Sequence, residues 1–413
     1  MFSIKLGLKN LTRQKRRNAI TILVIAFAFF IYLFLDSVMG GMEEMSFSNI
    51  KNFETGDIQV AYPEYWEERE ELPLENLIYL NQEIEESIKN MDGLLAASPE
   101  LRFTASLNNG IDEIAVIGLG IVPEKYNEVY TTQQYLVAGS IFTPGESRAV
   151  IGERLAELMD LKIGDYITLL IRTKEETFNT IDLEIGGLVN TPHPVINNGF
   201  VFVPLDIARQ ALNVEDGVSM ITIKTNKGKE IDPIIDNINQ NFQEKNMNIR
   251  AYSWKESAKT VIAMSAAQDA ETAVVLTLIL TIGMIGIINN VILSALERTR
   301  EIGMMKALGM REWEIVLVFM IEASGVGIIG GLAGCLLGAA GVGWMVKYGY
   351  DLSYAGGDMS MYGIPVMDRI YGVWNLPSFV FIFFLGAVLA LFSSMVPAYW
   401  AAHKDPVKAI YHR

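Results

Sequence analysis

Four stretches of this chain, residues 18–38, 273–296, 315–347 and 378–397, are apolar runs, each long enough to cross a bilayer as a helix. A hydrocarbon core of roughly 30 Å takes about 20 helical residues. The third run exceeds what one crossing needs, so it is expected to tilt or to enter the following loop at its outer end. The first run follows a basic segment, as in a cleaved leader. Its apolar part from Ala19 to Leu35 is longer than a leader requires, however, and Asp36-Ser37-Val38-Met39-Gly40 lacks a small-x-small cleavage pattern. The sequence therefore predicts an uncleaved first span and a membrane α-helical protein with four transmembrane helices.

Charge sets the expected orientation. The 413 residues carry a formal net charge of −15, very unevenly distributed. Lys5, Lys9, Arg13, Lys15, Arg16 and Arg17 precede the first span with no acid among them. Arg298, Arg300, Lys306 and Arg311 lie between the second and third, and Lys404, Lys408 and Arg413 follow the fourth. The two remaining loops are acidic. Basic residues in short loops stay cytoplasmic, which places both termini and the central loop inside and residues 39–272 outside.

That long segment reads as a large α+β extracytoplasmic domain inserted between helices 1 and 2. Alternation at Asp57-Ile58-Gln59-Val60, from Tyr166 to Ile171 and from Met220 to Lys224 predicts strands, and Gln82–Lys89, 152–159, Leu205–Leu212 and 231–242 have helical spacing. Residues 252–270 are expected to extend the second span outward as a stalk. Glu64 to Glu75 is rich in acid around Tyr65 and Trp66, which suits a solvated face or a contact for a basic partner. The expected layout is then a cytoplasmic amphipathic helix (1–17), span one (18–38), outer domain and stalk (39–272), span two (273–296), a cytoplasmic loop (297–314), span three (315–347), an outer loop (348–377), span four (378–397) and a cytoplasmic tail (398–413).

Several chemistries have no motif in the sequence. There is no G-x-x-x-x-G-K-S/T run for nucleotide phosphates. His193, His403 and His412 have no metal-ligand spacing, and His193 in Thr191-Pro192-His193-Pro194 reads as a loop residue. Cys335, the sole cysteine, excludes a disulfide within the chain. Asp36 and Glu322 lie near span ends, where each is expected to reach an interface, and Asn289 and Asn290 are placed to bond to neighbouring helices.

The central loop is the most informative segment. From Leu296 to Met310 it reads Leu-Glu-Arg-Thr-Arg-Glu-Ile-Gly-Met-Met-Lys-Ala-Leu-Gly-Met. Leu296, Met304 and Leu308 can share one helical face, with Ile302 and Met305 beside them, and Gly309 is placed to end the helix. Such a helix suits docking into a groove of a cytoplasmic partner; it equally suits a plain connector whose charges face water.

This loop closely resembles the signature of the FtsX-like or MacB-like ABC transporter permeases. Three further segments resemble the same family in the same order: the basic amphipathic start with Ile4, Leu8 and Leu11 on one face, the Gly152-Glu153-Arg154-Leu155 and Leu161-Lys162-Ile163-Gly164-Asp165 runs, and the ending from Pro397 to Ile410. The resemblance implies that Glu297, Arg298, Arg300, Glu301, Gly303, Met304, Lys306, Ala307, Leu308 and Gly309 form an ATPase-coupling helix. It also implies mechanotransmission, in which ATP-driven closure is relayed to the outer domain instead of opening a transmembrane tunnel. Gly327, Gly330, Gly331, Gly334 and Gly338 give small-x-x-x-small spacing in span three, suited to packing within the chain or against a second subunit.

The partners implied are a cytoplasmic ABC ATPase subunit that binds ATP and Mg, a second permease chain (identical or homologous), membrane lipid, and lipoproteins or a periplasmic protein. No nucleic acid, no metal and no cofactor in this chain are expected, and the chain itself is expected not to be an enzyme. The architecture is nearest that of the LolC/LolE lipoprotein-release permeases of the bacterial inner membrane. MacB-type efflux with an adaptor, a non-transporting FtsX-type regulator and a receptor or scaffold remain open as alternatives.

Overall fold

The computed structural model describes residues 6–7, 10–11, 13–91, 93–226, 231–351 and 369–403. Several expectations fall outside these: Ile4, Lys5, Leu8 and Lys9, most of the loop 348–377, and the tail beyond His403 with Lys404, Lys408, His412 and Arg413. The described residues form two compact units. One comprises the residues up to Glu43, Met264–Asp351 and those from Arg369 onward; the other is Glu44–Ala263.

The helical unit is built on four helices long and apolar enough to cross a membrane, namely Lys15–Ile50, Lys259–Glu297, Glu312–Tyr348 and Leu376–Ala402. All run beyond the apolar stretches that betray them. The fourth continues through Pro397 to Ala402 because Ala398, Ala401 and Ala402 pack fully buried, which outweighs the one backbone bond that the proline deletes. The third starts at a capping box in which Glu314 accepts the Arg311 N–H at 2.8 Å.

Packing within this unit is set by glycine. A Cβ on Gly330 would stand 3.0 Å from Ile25, one on Gly334 2.6 Å from Phe29 Cβ, and one on Gly338 2.6 Å from Leu33. These glycines repeat every fourth residue, as do the three side chains that they receive, so one row of each helix meets one row of the other. Gly327 lies against Ala390 of the fourth helix, and Gly331 lies between Phe29 and Phe383. The described contacts of all five are therefore inside this chain. Large apolar side chains cover the outside: Leu278, Ile282, Leu336, Phe384 and Val396 are all exposed, as suits a lipid solvent.

The second unit is an α+β sandwich around a ten-stranded sheet. Its strands are β1 (Ile58–Ala61), β3 (Leu94–Asn108), β4 (Glu113–Ile121), β5 (Leu136–Gly139), β6 (Arg148–Gly152), β7 (Tyr166–Arg172), β8 (Phe178–Val189), β9 (Phe200–Pro204), β11 (Met220–Thr225) and β12 (Arg250–Ser253), while β2 (Ile78–Tyr79) and β10 (Gly217–Val218) pair separately. The order is β12-β1-β11-β3-β4-β9-β6-β8-β5, with β7 between β3 and β8. The long antiparallel pair β3–β4 is the spine, and the Phe103 ring covers Gly118, its cross-strand partner. Leu101, Phe103, Leu107, Ile167, Leu169 and Leu183 alternate inward to make the core. In the acid-rich segment Tyr65 and Trp66 are buried, Trp66 stacks on Tyr252 at 4.0 Å, and Arg69 lies over its other face, so its aromatics are anchors for the surrounding acids.

Candidate functional site

The central loop folds into a short helix, Thr299–Ala307, between the second and third long helices. Arg298 breaks the preceding helix with φ −107° and ψ 21°. At the other end Gly309 takes φ +92°, its N–H bonds to the Lys306 carbonyl at 2.9 Å, and the Met310 N–H bonds to the Met305 carbonyl at 3.1 Å. This double bond pattern needs a left-handed residue, which glycine supplies without strain.

The ten predicted coupling residues divide sharply. Arg300, Met304, Ala307, Leu308 and Gly309 are exposed, with Met304 at 47% and Leu308 at 87%. Arg298 and Gly303 are buried, and Ile302 beside them is buried as well, so it faces the bundle instead of sharing the outer apolar face. Leu296 is exposed but belongs to the helix before the break. Glu297, Glu301 and Lys306 are engaged inside the chain. Arg17 Nη1 and Gln14 Nε2 donate to Glu297 at 2.9 and 2.6 Å, Arg13 pairs with Glu301 at 2.9 Å, and Lys306 pairs with Glu312 at 3.2 Å.

The arginines and carboxylates thus fix this helix to its surroundings and leave an apolar stripe unpaired. Leu308 and Met304 lie one turn apart on it, and Arg300 lies one turn before Met304. The exposed Trp313 follows at the start of the third long helix.

Glu322 is expected from its place near the start of span three to reach an interface. The structure instead buries it, 3.2 Å from Arg298 Nη1, with both side chains 7% exposed. Asn290 does bond across helices, accepting from Arg17 Nε at 2.6 Å and donating to Asn18 at 3.3 Å, whereas Asn289 is exposed. Arg13 and Arg17, read only as orientation signals, hold the loop's acids. The available signal was their lack of acids nearby, which leaves partners to be found elsewhere in the fold.

A second group of charges, partly to fully buried, lies in the sheet unit. After the first long helix the chain makes a π-helical turn, Lys51–Thr55. The Glu54 carbonyl accepts from Arg102 Nη2 at 2.6 Å and from the Tyr130 hydroxyl at 3.1 Å, while its carboxylate lies 3.2 Å from His193 Nε2. His193, expected as a loop residue, sits at the head of the short helix Pro194–Gly199 and is buried. Burial works to raise the Glu54 carboxyl, but the hydrogen bond and charge of His193, then the charge of Arg102, outweigh it and hold Glu54 below the ordinary carboxylate value. Burial, then the charge of Glu100, pushes Tyr130 well up. Among the described residues no group of three or more His, Cys, Asp or Glu is placed to hold a metal ion.

Two family profiles match the chain. The MacB-like periplasmic core domain matches residues 18–241, and the FtsX-like permease C-terminal region matches residues 273–406. Since the first alone spans more than half of the sequence, the chain belongs to the FtsX-like permeases with a MacB-like core domain, and it is an ABC transporter permease of the multi-pass membrane class. The lipoprotein-releasing system transmembrane protein LolC of Xylella fastidiosa is 23% identical over 305 residues, covering 70% of this chain and 71% of that one. An ABC transporter permease of Methanocaldococcus jannaschii is 24% identical over 226 residues, 52% of this chain and 54% of its own. The macrolide export ATP-binding/permease protein MacB of Brucella abortus is 24% identical over 283 residues, 66% of this chain and 42% of its own. Among solved structures, the periplasmic region of MacB from Actinobacillus actinomycetemcomitans aligns with 52% of this chain and 97% of that one, at 11% identity and a TM-score of 0.37.

Proposed function

We propose that the chain is the permease subunit of a transporter that works by mechanotransmission, with Thr299–Ala307 docking on a separate ATPase subunit that binds ATP and Mg. The observation that carries this reading is the exposed stripe of Arg300, Met304, Ala307 and Leu308 on a helix otherwise held by ion pairs. A water-facing connector has no use for a Leu that is 87% exposed beside a Met that is 47% exposed; an apolar groove on a partner does. In this reading both termini and the loop are cytoplasmic, the sheet unit lies outside the bacterial inner membrane, and a second permease chain completes the complex.

The cargo we favour is lipid-anchored protein, released from the membrane. The match to LolC, over 70% of this chain and 71% of that permease, supports it. The test is affinity purification of the tagged chain from its native membrane in mild detergent, followed by mass spectrometry. A stoichiometric P-loop ATPase with acylated lipoproteins supports the full reading. An ATPase with a periplasmic adaptor turns it to MacB-type efflux, and an ATPase with a wall hydrolase to an FtsX-type regulator. No ATPase at all rejects it in favour of a receptor or scaffold. In the same preparation Leu308→Asp is expected to lower ATPase recovery at least tenfold.

A further inference from the structure

The ion pair between Arg298 and Glu322 is built in a way that stability alone does not explain. Arg298 is the residue at which the second long helix ends and the short helix begins. Its side chain does not cap either helix. It runs inward to Glu322, in the third long helix, whose other carboxylate oxygen lies 3.5 Å from Ser294 Oγ. Ile302, Ile315, Val316 and Phe319 are all buried around this level of the unit. Arg298 Nη2 is buried without a hydrogen-bond partner.

An unsatisfied buried donor costs stability, and an apolar replacement of a buried ion pair is often neutral or stabilising. In some proteins such a pair instead selects one arrangement over others of similar energy. Here the arrangement is the rotation of the short helix. Arg298 and Ile302 are one turn apart and both point inward, which turns Arg300, Met304, Ala307 and Leu308 outward.

We infer that Glu322 is a positioning residue: through Arg298 it fastens the break before the short helix to the third long helix, so that the two move as one body and a push on the exposed stripe is delivered into the third helix. The delivery of a push rests on the docking reading above; the fastening does not.

The experiment separates the two. Cys335, the only native thiol, is replaced by Ser, and spin labels are placed at Ala307→Cys and Ile329→Cys in the full chain in lipid nanodiscs, with no ATPase or nucleotide. The parent should give one narrow distance distribution. Glu322→Gln should at least double its width, and the swap Arg298→Glu with Glu322→Arg should bring it back to within a fifth of the parent. Rescue by exchanged charges is not expected of residues that merely fill space. A parent width in Glu322→Gln, or a swap as broad as the single variant, overturns the inference. Should Glu322→Gln fail to insert, Arg298→Gln is measured in its place, with the same broadening expected and the same parent width overturning.

The complex from native membranes then reports on delivery. Glu322→Gln should recover the ATPase within twofold of the parent yet lower cargo-stimulated ATP turnover at least tenfold. Unchanged stimulation overturns delivery. A parent chain that recovers no ATPase rejects the docking reading and leaves the spin-label result to decide the fastening.

Discussion

The two units each bury a Glu–Arg pair, and the pairs differ in what they join. In the sheet unit Glu100 and Arg102 are two residues apart on β3, with Nη2 2.9 Å from Oε2. In the helical unit Glu322 and Arg298 are 24 residues apart and belong to different helices. A pair within one strand cannot fix one element against another. It neutralises two charges that the packing of β3, the π-turn and Tyr130 would otherwise leave unpaired in a low-dielectric interior. A pair between helices does fix their arrangement, in a unit whose exterior is apolar and whose helices lipid would hold inserted without it. Deleting either should therefore cost stability, but only deleting the second should also cost position.

The largest effect tests the first half of this contrast. Arg102→Met strands the fully buried Glu100 carboxylate and removes the donor to the Glu54 carbonyl. We expect a loss of about 3–5 kcal/mol in the sheet unit, read by calorimetry on the full chain in detergent as a fall in one transition. If that transition moves by less than a surface substitution does, the strand pair is not a stability element and the contrast collapses.

A smaller loss is expected where helices touch. On Gly334 a Cβ would come 2.6 Å from Phe29 Cβ and 2.9 Å from the Ala26 carbonyl oxygen, and backbone cannot yield cheaply. Gly334→Ala should cost about 1–3 kcal/mol by overpacking, seen as a lower melting temperature of the helical unit. An unchanged melting temperature would mean that the first and third long helices can separate without penalty.

Much of this was legible from local signals and little of it from distant ones. The strands at Ile58–Ala61, Tyr166–Arg172 and Met220–Thr225 and the helices Gln82–Lys89 and Leu205–Leu212 follow from alternation and helical spacing. The turn at Gly309 follows from its place after an apolar helical face. The β3 strand escaped because Ala96, Ala97, Ser98 and Pro99 interrupt the apolar alternation; Pro99 is nevertheless carried in the ladder, opposite Ile221. The first long helix reaches Ile50, well past residue 38, because helix continues after apolarity ends, through Ser46 and Asn49, which are buried. At the candidate site the exposed Met304 and Leu308 were visible in sequence, whereas the pairing of Arg298 with Glu322 was not. Nothing in spacing says which of several charges on two helices will meet.

Glu54 offers a gentler test within the sheet unit. Its carboxyl is held below the ordinary value of 4.5, against the upward pull of burial, by His193 and then Arg102. With a folded value below the unfolded one, its contribution is present above pH of about 4.5 and is lost as pH falls through the folded value. Because the side chain is 38% exposed, the expected cost of Glu54→Gln at pH 7 is only about 1 kcal/mol, shrinking to nothing in acid. A difference from the parent that stays constant between pH 7 and pH 3 would show that the lost contact is steric and not ionic.

The smallest effect should have the opposite sign. Gly283, in the second long helix, has nothing within 4 Å of where a Cβ would stand, and it borders a cavity of about 20 Å³ together with Phe29 and Ile287. Its glycine is thus not imposed by close approach as Gly334's is. Gly283→Ala lowers the backbone entropy of the unfolded chain and adds a methyl where space exists, so a gain of about 0.5–1 kcal/mol is expected. The pair of glycine variants sharpens the reading of the helical unit: a loss at Gly334 with a gain at Gly283 assigns close packing to the third long helix and leaves the second free of it. Equal losses at both would mean that the second helix is held as tightly as the third, by a surface outside the contacts that this chain makes with itself.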